Sequence, residues 1–122
     1  MSKTVLLIED EPHIVAALRF LLQREGLTVF DHGDGQDAMQ KINSVSPDLI
    51  ILDVMLPGKS GMQILEELRD DSRTRNLPVL MLTAKGQKKD REAAETAGAS
   101  MFMTKPFGNE EILGNVKALL ER

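Results

Sequence analysis

The sequence predicts an α/β domain with a parallel sheet covered by helices on both faces, and three observations carry that expectation. Short apolar runs alternate with segments of helical periodicity, five times along the chain. The central runs are apolar at every position, the pattern of strands buried on both faces. Proline and glycine fall at the joints between segments, where they end one element before the next begins.

Taken in order, Thr4–Glu9 (TVLLIE) is too short for a helix and reads as the first strand. From Pro12, residues Ile14, Ala17, Leu18, Leu21 and Leu22 share one helical face, with Pro12 suited to the first helical position and Gly26 to the stop. Leu27–Phe30 is a brief second strand. Asp34 opens the next helix, which has Ala38, Ile42 and Val45 on one side and Pro47 beyond its end. Asp48–Asp53 (DLIILD) is a buried strand, followed by Ser60–Gln63 in the form of a capping box and a helix with Ile64, Leu65 and Leu68 inward. Pro78–Thr83 is the fourth strand. The helix from Gly86 to Gly98 offers only Ala93, Ala94 and Ala97 to the core, so it should be loosely held. Ser100–Thr104 and a helix over Gly108–Arg122, with Ile112, Val116, Leu119 and Leu120, complete the alternation.

Composition narrows the function. With 122 residues, 42% hydrophobic and 28% charged, the chain is expected to form one globular domain over residues 1–122. Its net charge of −4 argues against nucleic-acid binding through bulk positive charge. There is no cysteine, which removes disulfides, thiolate metal sites and thiol catalysis, and His13 and His32 are too few for a histidine metal cluster. His13 reads as a polar-face residue of the first helical turn. Trp and Tyr are absent, so an aromatic stacking platform is not available. The seven methionines read as scattered core filler, Met55 and Met101 being the exceptions to watch. The N-terminal apolar run stops at carboxylates after a few residues, far short of a signal peptide or membrane span. A soluble cytoplasmic domain is therefore expected.

The informative polar residues stand at the carboxyl ends of the strands. Glu9-Asp10-Glu11 follows the first, Asp53 ends the third, Thr83 ends the fourth, and Lys105-Pro106 follows the fifth. Ligands of open α/β sheets bind outside those ends. Clustered carboxylates repel, and a hard divalent cation relieves them; oxygen donors without His or Cys suit Mg²⁺, Mn²⁺ or Ca²⁺. A carboxylate can also accept a phosphoryl group as an acyl phosphate, with metal and lysine neutralising charge. No nucleotide phosphate loop is present. These residues alone leave open a small Mg²⁺-dependent phosphatase or phosphotransferase with Asp53 as nucleophile, although no second acidic pair or cap segment is visible. A cofactor binder of flavodoxin type fits an acidic rim poorly.

Glu9-Asp10, Asp53 within LILDVMLPGKSG, Thr83-Ala84 and Lys105-Pro106-Phe107 together resemble the receiver domain of bacterial two-component response regulators, over the whole chain and in order. The resemblance implies a flavodoxin-like, doubly wound, five-stranded parallel sheet of order 2-1-3-4-5 with five helices. It implies that Asp53 is the phosphoacceptor, charged by a sensor histidine kinase, a phosphotransfer protein or a small phosphodonor. Asp10, Asp53 and the Met55 carbonyl would hold Mg²⁺, or Mn²⁺, with Glu9 acting through water. Lys105 and Thr83, with neighbouring Ala84, would contact the phosphoryl group, Phe102 would turn inward on activation, and Pro106 is the candidate for a cis peptide bond. Met55 and Lys85 flank the route of hydrolytic water and would tune the phosphoryl lifetime. The face made by the fourth helix, fifth strand and fifth helix would meet an unidentified downstream protein.

Within that family the chain looks most like the receivers of winged-helix transcription factors, without their output domain. It is either a stand-alone regulator or a piece of a longer protein. Those relatives dimerise through this same face, but here Ser100, Met101 and Asn115 replace charged partners, and Glu92 and Glu95 replace apolar residues. Arg91 and Glu111 could still pair. The expectation is a monomer or weak dimer that neither binds nucleic acid directly nor enters a membrane.

Overall fold

The computed structural model describes residues 2–84 and 88–121. Ten elements alternate: β1 (Thr4–Ile8), α1 (Pro12–Arg24), β2 (Thr28–His32), α2 (Ala38–Val45), β3 (Leu49–Asp53), α3 (Gly61–Asp70), β4 (Val79–Thr83), α4 (Lys88–Ala97), β5 (Met101–Thr104) and α5 (Asn109–Leu120). The strands pair in parallel in the order β2-β1-β3-β4-β5. Strand order therefore reverses at the β1/β3 boundary, and the crevice that forms there opens at the strands' carboxyl ends.

Successive side chains of a strand point to opposite faces, and this parity sorts the core into two layers. Val5, Leu7, Leu49, Ile51, Leu80, Leu82 and Met103 pack with α1 and α5. Leu6, Ile8, Ile50, Leu52, Val79, Met81 and Phe102 pack with α2, α3 and α4. Both faces of β1, β3 and β4 are covered, which explains their unbroken apolar sequences.

The helices are not held equally. In α5, Ile112, Val116 and Leu119 are fully buried, each contributing about 1.5–3 kcal/mol of transfer free energy. In α4 the fully buried side chain is Ala94, whose methyl contributes about 0.8 kcal/mol. What fixes α4 is at its C-terminal end. The Arg69 guanidinium, near the end of α3, donates to the carbonyls of Gly98 (2.8 Å), Leu77 (2.8 Å), Arg75 (3.0 Å) and Thr74 (3.2 Å). Gly98 sits at φ +104°, in the left-handed region, with the Arg69 chain against it.

The Ser60 capping box forms as read: Ser60 Oγ accepts from Gln63 N at 3.3 Å, and Gln63 Oε1 accepts from Ser60 N at 3.1 Å. Pro12 occupies the start of α1, and Gly26 follows its end at φ +83°. The second helix differs from expectation. It starts at Ala38, not Asp34, because the Asp34 carboxylate accepts from Gln36 N (2.8 Å) and folds residues 34–37 into a turn. The second strand runs two residues past Phe30, as β1 and β2 stay in register from Thr4–Thr28 to Ile8–His32. Ser100, expected within the fifth strand, stands just before β5; its N donates to Val79 O (2.9 Å) and its hydroxyl accepts from Val79 N (3.0 Å). Gly86 and Arg122, the expected limits of the fourth and fifth helices, lie outside the described residues. Among the described residues no helix is long and apolar enough to cross a membrane.

Replacing Arg69 by Met would keep the apolar stem and strand four carbonyls. Urea unfolding of Arg69→Met should show a loss of about 2–4 kcal/mol, with most of the amide-exchange protection lost in α4.

Candidate functional site

The rim residues are held in place because the parallel ladders continue past the strand ends. Glu9 N donates to His32 O (3.1 Å), Val54 N to Leu82 O (2.9 Å), and Lys105 N to Thr83 O (2.8 Å). Each acidic or basic residue is thus set by a backbone hydrogen bond to a neighbouring strand. Parity places Glu9, Asp53 and Lys105 on the α1/α5 side of the sheet, and Thr83 with Phe102 on the α4 side.

Carboxylate oxygens of Glu9, Asp10 and Asp53 lie within 4.8 Å of one another. Glu9 and Asp53 are buried at 2% and 3% exposure, while Asp10 faces solvent. The Lys105 ammonium reaches into this cluster, 2.7 Å from Glu9 Oε1, 3.3 Å from Glu11 Oε1 and 3.5 Å from Asp53 Oδ2. Asp53 Oδ1 accepts from Met55 N at 3.1 Å, and Glu9 Oε2 from Glu11 N at 3.2 Å. Glu11 is a member of this constellation that the sequence reading left outside the site. Its signal was adjacency to the acidic pair, which an exposed helix-entry residue shares.

Charge and burial conflict at Glu9. Desolvation raises its pKa above 4.5; the Lys105 ammonium pulls it down and the Asp53 charge pushes it up, and burial prevails. For Lys105 burial acts downward, but the contact with Glu9 and the charge of Asp53 outweigh it and the pKa rises above 10.5. Glu9 Oε1 is buried and meets Lys105 as an ion pair, off the direction of a hydrogen bond. An oxygen left short of a directed partner, beside two more carboxylates and with no nitrogen or sulfur donor, is the donor set of a hard cation such as Mg²⁺.

On the other side of Asp53, Met55, Thr83, Ala93 and Phe102 border a cavity of about 220 Å³ beneath α4. Thr83 and Phe102 are buried, and the Arg91 guanidinium lies over the Phe102 ring, 5.3 Å from its centroid. The Met55 side chain is 62% exposed, and Ala84 is exposed. The Lys105–Pro106 peptide bond is cis. His13 is exposed on the first turn of α1. Lys85 lies outside the described residues.

The sequence profile of the response regulator receiver domain matches residues 5–117. The chain belongs to that family. Receiver domains of two-component systems are signalling switches, modified on an aspartate and binding Mg²⁺ at an acidic site. Among similar proteins, the phosphate regulon transcriptional regulatory protein PhoB of Escherichia coli is 39% identical over 122 residues, all of this chain and 53% of that protein. The alkaline phosphatase synthesis transcriptional regulatory protein PhoP of Bacillus subtilis is 41% identical over 122 residues, all of this chain and 50% of its own length. The chain spans about half the length of these curated relatives, the receiver part of winged-helix regulators. The BeF3-activated receiver domain of RstA from Klebsiella pneumoniae superposes with a TM-score of 0.90 at 26% identity, over 98% of this chain and 99% of that one. Chemotaxis response regulator CheY4 of Vibrio cholerae gives 0.90 at 28% identity, over 98% and 99%. The flavodoxin-like fold and strand order expected of the receiver are those found.

The raised pKa of Glu9 makes its ionisation a cost to the native state. Above that pKa both native and unfolded forms are charged and the cost is complete; below 4.5 both are neutral and it vanishes. Glu9→Gln should therefore raise the melting temperature at pH 7 in chelator, with the gain shrinking to nothing as the pH falls below 4.5.

Proposed function

We propose that residues 1–122 form one receiver unit that is phosphorylated on Asp53 in a Mg²⁺-dependent reaction and thereby changes the α4–β5–α5 surface. The observation that carries this reading is the convergence of the Glu9, Asp10 and Asp53 oxygens within 4.8 Å around the Lys105 ammonium. The phosphodonor is a sensor histidine kinase or a phosphotransfer protein. An Asp53 carboxylate oxygen attacks phosphorus, the new O–P bond forms, and the donor's P–N bond breaks. The imidazole nitrogen keeps the electron pair and takes a proton from solvent. Asp10, Asp53 and the Met55 carbonyl are the residues that would hold the metal, with Glu9 behind them through water. When bound, the metal supplies positive charge against the phosphoryl oxygens. Lys105, already 3.5 Å from Asp53 Oδ2, would neutralise the remaining charge.

The product carries about two negative charges where one carboxylate charge stood. Thr83 and the Ala84 loop move toward the new oxygens, and Phe102 follows into the space beside Thr83. The C-terminal end of α4 is anchored by Arg69 and the rest of that helix rests on alanine, so its N-terminal end is the part that shifts. A switch needs two arrangements only a few kcal/mol apart, and this thin interface supplies that. The chain works in the cytoplasm on a protein target, as a monomer or weak dimer, with no direct contact to nucleic acid. Self-catalysed phosphotransfer and autodephosphorylation are its only chemistry.

Intact mass after incubation with acetyl phosphate and Mg²⁺ should show one added phosphoryl group, stable to acid and labile to base. It should be absent from Asp53→Asn and from chelator-treated protein; an adduct in Asp53→Asn would move the acceptor elsewhere. Met55 and Lys85, by the resemblance to receivers, tune the lifetime of the acyl phosphate. A Met55→Asn, Lys85→Glu variant should lose its phosphoryl group faster than wild type, and equal decay rates would remove that role from both residues.

A further inference from the structure

We infer that the β2–α2 loop, through Gly35 and the turn held by Asp34, positions the β3–α3 loop that carries the Met55 carbonyl, and so sets the divalent-cation affinity of the acidic site. The inference rests on the reading of that site as the Mg²⁺ site of a receiver.

Besides the packing of Val54 and Leu56 on the core and the Lys59–Glu67 ion pair (2.8 Å), two sets of backbone tethers hold residues 54–61. The inner set is local to the site: Val54 N to Leu82 O at 2.9 Å, Met55 N to Asp53 Oδ1 at 3.1 Å, and Gly61 N to Val54 O at 3.0 Å. The outer half, Pro57–Lys59, leans on a different element. Gly35 N donates to Pro57 O at 3.0 Å, two residues beyond Met55. Gly35 is buried against the Lys59 backbone. A Cβ there would run into the Lys59 carbonyl oxygen, with the carbonyl carbon 2.8 Å and the amide nitrogen 3.0 Å away. These are backbone atoms and cannot rotate aside. From the opposite side, Gly58 adopts φ +79°, and a Cβ on it would lie 2.8 Å from Asp34 Oδ1 and 3.1 Å from Gln36 N. The two loops therefore interlock, Gly35 on the Lys59 backbone and Gly58 on the Asp34 carboxylate and the Gln36 amide. Asp34 fixes its half by accepting from Gln36 N at 2.8 Å.

Mg²⁺ demands near-octahedral ligands at about 2.0–2.1 Å, so a small displacement of one carbonyl matters more to it than to a flexible cation. Pushing Lys59 outward would drag Pro57 and turn the Met55 peptide away from Asp10 and Asp53. Gly35 and Asp34 touch no reacting atom; they are positioning residues.

The test is a Mg²⁺ titration followed by amide ¹H–¹⁵N shifts, with thermal unfolding of each variant and intact mass after acetyl phosphate in parallel. Gly35→Ala should raise the half-saturating Mg²⁺ concentration about tenfold. Gly98→Ala strains a left-handed glycine at the far end of the sheet. It should lower the melting temperature yet stay within about twofold of wild type for Mg²⁺, since it touches no part of the metal's surroundings. An unchanged titration in Gly35→Ala, or the same rise in Gly98→Ala, overturns the inference. Should Gly35→Ala not fold, Asp34 decides. Asp34→Ala removes the turn acceptor and should weaken Mg²⁺ binding, whereas Asp34→Asn keeps the acceptor and should bind as wild type. Equal weakening in both would assign the effect to charge and overturn the inference. Wild type that binds Mg²⁺ but accepts no phosphoryl group would end the phosphoacceptor reading, while the comparison of variants would still decide the positioning role.

Discussion

Everything at the rim is arranged around one electrostatic constraint: the carboxylates of Glu9, Asp10 and Asp53 are held within 4.8 Å of one another, and Glu9 and Asp53 share one ammonium with Glu11. Two unit charges separated by 4.8 Å repel by about 3 kcal/mol at an effective dielectric of ~20. Three such oxygens would drive the loops apart were the backbone free to move. It is not free. The bonds from Glu9 N, Val54 N and Lys105 N continue the sheet's own ladders, so separating the charges would mean unzipping strands whose side chains are wholly buried. The stability of the parallel sheet is thus partly used to hold an unfavourable cluster of charge, as sites that must act usually require.

The same sheet presents unequal faces. On one, α1 and α5 cover β1, β3 and β4 with large aliphatic side chains, and Glu9, Asp53 and Lys105 stand at that layer's upper edge. On the other, α4 rests on an alanine and is fixed at its C-terminal end by Arg69. Strand parity puts Thr83 and Phe102 on this second face, next to the cavity under α4. If Asp53 is the phosphoacceptor, as proposed, a change of charge there acts from that layer toward α4, the thinly packed helix of the other face. On the proposed reading, the direction of signalling follows from which side of each strand a residue happens to occupy.

Much of this was legible in the sequence because it depends on local rules. Apolar runs and helical spacing fixed the ten elements, Ser60-Gly-Met-Gln63 its capping box, and the strand ends their polar residues. The misplaced start of α2 shows where local rules stop. Asp34 looked like a helix opener, and its carboxylate does cap a backbone amide, but the turn it makes is shaped by contact with residues 57–59, far along the chain. Arg69 was silent for the same reason: a lone arginine late in a helix looks solvated until the carbonyls of two separate loops are found beneath it. Glu11 was missed because proximity to Lys105 across 94 residues leaves no periodic trace.

The loops at the rim differ from the strands in one respect that bears on function. A strand residue is fixed by two neighbours and both faces of packing. The β3–α3 loop is fixed by a handful of backbone contacts, several made where a glycine lets two chains approach: Gly61 against Val54 Cα, Gly35 against Lys59, and Gly58 against the Asp34 turn. Close backbone approach gives rigidity without side-chain bulk at the mouth of the site. Val54 and Leu56 pack on the α2/α3/α4 layer, so the loop's geometry rests on that layer and on backbone contacts from the β2–α2 loop, β4 and α3. On the inference drawn above, the metal-binding geometry of such a site is a property of the surrounding elements as well as of its ligands. Substitutions well outside the carboxylate cluster can tune it without altering a single charge.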